Sequence, residues 1–343
     1  MPALELDTAI GEYLIPGEEE ILRDFVGLFT KHFEKHYAGK DGPARRAIHA
    51  KSHGCLRATF SVLDHSENDL KHGIFSEPAT YQAIVRISNG DGPPGADTDK
   101  IASVGFAIKV LGVSAEKYLP AQREDSQDFL FLNQPAYISA DVRDYRSLMR
   151  AIDGGPMAKV IALMRNLRGI RYRLKASPKD NPLNTSFWGV APFRLGEIAV
   201  KYLIRPSNPE PKRQPVGLTN DYLSTLVKER IEQREANFEF FLQRRMLDGT
   251  EKQKMPIEDY SVAWDETHSV PVPVARLSIP MQPVDARFDQ EQAEHLIFSP
   301  WNTTKDFRPL GSLNRARRVV YEFSAQRRHE LNKTTNPLSS PQN

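Results

Sequence analysis

Residues Arg308–Arg328 read RPLGSLNRARRVVYEFSAQRR, and the rest of the chain is organised around this stretch. Pro309 and Gly311 make a loop, and Asn314 suits the N-cap of a helix that begins near Arg315. No Gly or Pro then interrupts the sequence until Pro337. Arg317 and Tyr321 are at helical (i, i+4) spacing and share a face. Arg328 follows about two turns later on that face. A free tyrosine ionises near pH ~10, and adjacent positive charge favours the phenolate. Taken alone, the pattern is that of a surface helix on which Arg stacks over Tyr. Other parts of the chain change that reading.

With 343 residues, 40% of them hydrophobic and 26% charged, the chain is a soluble globular protein of one elaborate domain or two ordinary ones. A net charge of +2 gives no case for nucleic acid or an acidic substrate. Cys55 is the only cysteine, which excludes an intrachain disulfide and suits a reducing compartment. It is read as a small buried hydrophobe. The opening MPALELDTAIGEYLIPGEEE is acidic and lacks a signal pattern, and no apolar run reaches membrane-spanning length. A cytoplasmic protein without an integral membrane segment is expected.

Glu18–Tyr37 has the spacing of an amphipathic helix, with Ile21, Phe25, Leu28, Phe29 and Phe33 on one side. Arg45–Leu63 alternates as two strand segments bent around Gly54, and His49 falls inside it. Tyr81–Asn89 is a strand on which Arg86 and Ser88 point the same way. Val104–Leu111 is an apolar strand, and Asp128–Ile138 another, broken at Asn133 and Pro135. Val142–Ile152 is helical. Ala158–Leu174 is a basic amphipathic helix ending RNLRGIRYRL, whose arginines suit an anionic surface or, as preferred here, a solvated face. Asp221–Glu235 is a polar helix, while Phe238–Met246 and Ser269–Ile279 return to strand character. The pattern is α+β, with an antiparallel sheet or barrel and helices before, between and after its strands. Three parts are expected: a helical segment over 1–38, a main domain over 39–331 and a flexible tail over 332–343.

These pieces come in an order that resembles the heme catalases, especially the short catalase-related proteins, over roughly Arg45–Arg328. RAIHAK (46–51) is similar to the family's distal-histidine strand. The resemblance makes His49 the catalytic histidine and Arg46 a partner for a heme propionate. VRIS (85–88) is similar to the strand carrying a second propionate arginine, Arg86, and the serine, Ser88, that orients the imidazole. GADT (95–98) and VGFAIKV (104–110) continue the pattern. QDFLFLNQP (127–135) resembles the segment of the distal asparagine. That asparagine aligns with Leu132 or Asn133, and only Asn133 has the amide. NRARRVVYEFSAQRR supplies Tyr321 as the axial ligand of heme b, with Arg317 and Arg328 beside it.

The resemblance implies a catalase-like antiparallel β-barrel core with flanking helices. It further implies a heme-dependent peroxidase with catalase-like activity. Such an enzyme takes hydrogen peroxide and organic hydroperoxides, uses a small organic reductant and is compatible with a homo-oligomer. A fatty-acid hydroperoxide isomerase of the allene oxide synthase type and a non-enzymatic heme protein are the alternatives. Three departures bear on these. Large catalases have a valine where this chain has Gly90. They have an acidic residue near Ile101-Ala102-Ser103. Loss of both implies a wider channel that admits larger peroxides. Ile48, beside the histidine, is close to the family valine and unlike the threonine of the isomerases.

Overall fold

The structure, a computed structural model, describes residues 5–90, 103–119, 125–152, 154–176, 180–210, 219–246, 254–284 and 294–334. The expected GADT stretch, Ile101, Ala102 and the tail beyond 334 lie outside the described residues.

Its elements are α1 (Glu18–His36), β1 (Ser52–Val62), β2 (Thr80–Asn89), β3 (Val104–Leu111), β4 (Ser126–Leu132), α2 (Val142–Ile152), α3 (Pro156–Lys175), β5 (Phe187–Trp188), β6 (Phe193–Leu195), β7 (Ile198–Pro206), α4 (Tyr222–Gln233), β8 (Ala236–Arg244), β9 (Val272–Ile279), β10 (Phe307–Pro309) and α5 (Gly311–Asn332). β1-β2-β3-β4-β5-β7-β8-β9 form a ring that closes where β9 meets β1. All the pairings are antiparallel, and β6 and β10 extend the sheet beside β7. The fold is α+β, a closed antiparallel barrel flanked, among the described residues, by five helices.

The strand period of two decides what the barrel holds. Val85 and Ile87, Phe106 and Ile108, and Phe129 and Phe131 belong to one buried core. Its aromatics pack ring to ring, several of them edge to face, with Phe129 4.9 Å from Phe240 and Phe131 4.9 Å from Tyr202. The alternate positions, Arg86, Ser88, Gly105 and Lys109 among them, therefore face outward. There the helices and a strap before α5 cover them. In the strap, Leu296 and Phe298 pack on Cys55 and Ile84, as the buried-hydrophobe reading of Cys55 requires. The Ser299 amide donates to Asp128 at 2.9 Å, and Asp128 is paired with the fully buried Lys109 at 2.8 Å.

α5 begins at Gly311, a turn before the expected start near Arg315. The cause is capping from distant segments. The amide of Gly311 donates to Glu12 at 2.7 Å, that of Ser312 to Glu258 at 2.6 Å and that of Leu313 to the Tyr260 hydroxyl at 3.1 Å. Three of the four N–H groups that a helix start leaves over are thus satisfied. Two carboxylates lie at the positive end of the helix. Asn314 is inside the helix rather than its cap, its amide donating to the Leu310 and Pro192 carbonyls. Arg315 binds Glu12, Glu18 and Glu258 together. α1 buries Ile21, Phe25 and Phe29 with Ala316 and Val320 of α5. Asn332 is the last residue of α5, and its amide brackets Ala44, accepting from its N–H at 2.7 Å and donating to its carbonyl at 2.9 Å.

Candidate active site

His49 lies before β1, on a bend, and not inside a strand as expected. Its φ is 61°, a conformation a non-glycine residue seldom adopts. Arg86 holds it there by donating to its carbonyl at 2.8 Å. The imidazole has Ser88 Oγ 3.2 Å from Nδ1. One ring face rests on Gly105, where a Cβ would come within 2.5 Å of Cε1 and Nδ1. Burial, with Arg86 and Arg317 nearby, pushes the His49 pKa down to about 3, against a hydrogen bond to the Asn89 backbone. The ring is therefore neutral at any physiological pH. With Ser88 at Nδ1, Nε2 is the nitrogen left to meet a ligand.

Ser88, Gly105 and Leu132 pair across β2, β3 and β4. Directly paired residues share a face, so Leu132 lies on the His49 side of the sheet. Asn133, assigned above to the distal site, bonds to the backbone through both ends of its amide. Its Oδ1 accepts from the Val104 amide at 2.9 Å and its Nδ2 donates to the Ala176 carbonyl at 2.6 Å. Its amide ties the end of β4 to β3, beside the Gly105 that the His49 ring contacts. Ile48 packs against the cluster shared by α1 and α5. Gly90 lies against Ser103. A Cβ there would be 3.0 Å from that of Ser103 and 3.1 Å from its carbonyl carbon, and the Gly90 amide donates to the Ser103 carbonyl at 2.8 Å.

On α5, Arg317 lies over the Tyr321 ring, 5.4 Å from its centroid, with Nη2 3.5 Å from the phenol oxygen. Its Nη1 donates to Asn314 Oδ1 at 3.3 Å. Burial would lower the pKa of Arg317, but Tyr321 and Tyr202 outweigh it and raise the value. Tyr137 and Tyr145 adjoin this pair, their rings 5.6 Å apart, and burial raises both phenols, Tyr137 well above the usual range.

Arg328 does not complete a clamp on Tyr321. It joins Arg46 and Arg86. Arg46 donates to Glu294 at 2.9 Å and to the Leu296 carbonyl at 2.5 Å, Arg328 donates to the same carbonyl at 3.1 Å, and Arg86 is 3.5 Å from Glu294. Three buried guanidiniums thus gather around the Glu294 carboxylate. Burial would raise the pKa of Glu294, but Arg46, Arg86 and Arg328 outweigh it and hold the value low. Burial and Arg46 pull Arg86 to about 9 and Arg328 to about 8. Arg86 Nε and Arg328 Nε are buried without a hydrogen-bond partner among the described residues.

No family model and no curated protein matches the chain. Solved structures do. A fungal catalase superposes with a TM-score of 0.71 over 99% of this chain and 69% of its own, at 16% identity. Catalase A from Saccharomyces cerevisiae gives 0.69 over 100% and 72%, at 16% identity. A bacterial catalase gives 0.66 over 100% and 66%, at 15% identity. The chain has a catalase-like fold.

In this catalase-like frame, the outward face of β2 and β3, the strap and α5 bring these side chains together. The residues present fit a heme. Its two propionates match the guanidiniums of Arg46, Arg86 and Arg328, and Tyr321 beside Arg317 is a suitable oxygen ligand. Among the described residues no cluster of His, Cys, Asp or Glu is arranged to hold a bare metal ion. Sequence reading missed Gly105, Asn314, Tyr137, Tyr145 and Glu294. For Gly105 the signal was there, because a glycine inside a strand marks a close approach.

Proposed function

We propose that the chain is a heme-dependent peroxidase with catalase-like turnover of peroxides. The observation that carries this reading is the cluster of Arg46, Arg86 and Arg328 around the carboxylate of Glu294. Such a cluster suits an anionic ligand, with His49 and Arg317 close to it. Arg46, Arg86 and Arg328 hold the propionates, each guanidinium offering a carboxylate two parallel donors. Tyr321 would offer the iron its phenol oxygen, with Arg317, which donates to Asn314, stacked over its ring. When bound, heme supplies the iron that exchanges electrons with peroxide.

The protein's own part is to move a proton. His49 Nε2 accepts the proton from the inner oxygen of the peroxide and returns it to the oxygen that leaves as water. Neutrality is what allows it to accept, and burial beside Arg86 and Arg317 provides that. Ser88 fixes the tautomer through Nδ1. A second peroxide or a small organic donor closes the cycle, and the protein is cytoplasmic in this reading.

The test is titration of the purified chain with heme, followed by absorption and peroxide consumption. One heme per chain with a tyrosinate-type ferric spectrum is expected, and Tyr321→Phe should change that spectrum and weaken retention. A Tyr321→Phe spectrum and heme content identical to the parent's would overturn the ligand assignment.

A further inference from the structure

The helix α3 reads PMAKVIALMRNLRGIRYRLK, with six cations and no acidic residue. Its buried side is narrow and made of Ala162, Asn166 and Gly169. Asn166 donates to the Asp144 carbonyl of α2, and a Cβ on Gly169 would run into the Ile138 carbonyl. The helix therefore lies close on the protein along small residues and turns its large apolar side chains outward. Met157 is 71% exposed, Val160 51%, Met164 73%, Leu167 47% and Leu174 69%. They follow one another at steps of three or four, with Arg171 completing the line, and so form one stripe. Scattered exposed apolar residues are ordinary, but a continuous stripe is not.

We propose that this outward face of α3 docks on an anionic phospholipid bilayer. The argument is charge complementarity around an apolar stripe. Lys159, Arg171 and Lys175 form no ion pair among the described residues. The nearby acids are already matched, Asp144 lying 3.6 Å from Arg165 and Asp259 3.3 Å from Arg168. A second copy seated face to face would set six cations against six, and such juxtaposition disfavours association. A bilayer meets both needs. The acyl boundary takes Met157, Met164, Leu167 and Leu174, while lipid phosphates take the cations on their flexible stems. No described helix is long and apolar enough to cross a membrane, so the contact lies in the plane of the surface. The solvated-face reading of this helix does not explain the stripe. The proposal stands independently of the heme reading.

The experiment is flotation of the full chain with vesicles of phosphatidylcholine, with and without added phosphatidylglycerol. Flotation with the anionic vesicles only, weakened by salt, is expected. Arg171→Ala should reduce partitioning about fivefold, as for one basic residue near the surface. Met164→Glu and Leu167→Glu should each reduce it about tenfold or more, with unchanged circular dichroism. No flotation, equal flotation with both vesicle types, or Glu variants that float like the parent would overturn the proposal. So would a dimer in sedimentation that the Glu variants dissociate without changing flotation, because a second copy would then cover the face.

Discussion

At His49 the backbone is held in the left-handed region, which costs a non-glycine residue about 1–3 kcal/mol. The hydrogen bond from Arg86 to its carbonyl and the contacts of its ring offset that cost. The ring position depends on the absence of a side chain at residue 105. Gly105→Ala places a Cβ within 2.5 Å of two ring atoms, so the imidazole must move. Its peroxide turnover should fall by about two orders of magnitude, as expected for a misplaced general base. Heme retention should be unchanged, and His49→Gln should behave the same way. Loss of heme in either variant, by absorbance, would make His49 structural. Acid stability follows from the same burial. An unfolded histidine titrates near 6.5, whereas burial pushes His49 to about 3 and His32 and His329 to about 4. Between those values the unfolded chain binds more protons, so stability present above pH ~6.5 is lost as the pH falls. The Tm of the heme-free chain should drop over that range, and less steeply in His49→Gln. Period-two reading put Arg86 and Ser88 on the right face, because strand alternation is a local property. It could not show that Leu132 pairs with Gly105, because pairing register is decided across strands.

α5 shows what a single element takes from the rest of the chain. Its helical spacing was legible between Arg315 and Arg328, since no breaker interrupts it. Its start was not, because the groups that cap it come from Glu12, Glu258 and Tyr260, far away in sequence. The first residue must be glycine on two counts. Its φ is 84°, and a Cβ would overlap the Tyr260 hydroxyl, which itself accepts from the Leu313 amide. Gly311→Ala should therefore cost about 2 kcal/mol or more, from the backbone strain and the displaced tyrosine together. The double variant with Tyr260→Phe separates the two. Removing the hydroxyl relieves the overlap but leaves the Leu313 amide unbound, at about 1–3 kcal/mol. The double variant should be less destabilised in urea than the sum of the singles. Additivity would mean that the two residues do not interact, against the geometry.

At the scale of the molecule, the barrel acts as a frame whose outer face brings distant residues together. Arg46 precedes β1, Arg86 is on β2, Glu294 is on the strap and Arg328 is on α5. The sequence order of the motifs was enough to expect that frame and its barrel. It gave no sign that Arg328 joins Arg46 and Arg86, nor that Glu294 lies among them, because Asp285–Phe298 has no periodicity to read. Guanidiniums keep their protons in proteins, so this cluster concentrates positive charge around Glu294. Such an arrangement costs stability without a ligand and favours binding an anion. The two effects should respond in opposite directions to one substitution. Arg328→Met removes one buried cation and keeps much of the side-chain volume. The Leu296 carbonyl remains satisfied by Arg46 at 2.5 Å, so the lost hydrogen bond leaves no orphan acceptor. Heme-free Arg328→Met should therefore be more stable than the parent, by about 1 kcal/mol, the lower end of the gain seen when buried charges give way to apolar side chains. Its heme should dissociate about tenfold faster or more, through loss of a charge-assisted contact of about 1.5–3 kcal/mol. Thermal unfolding of the heme-free chain and transfer of heme to an acceptor protein measure the two separately. If Arg328→Met lowers the Tm and leaves heme transfer unchanged, the cluster is a structural ion network and its positive charge is not reserved for a ligand.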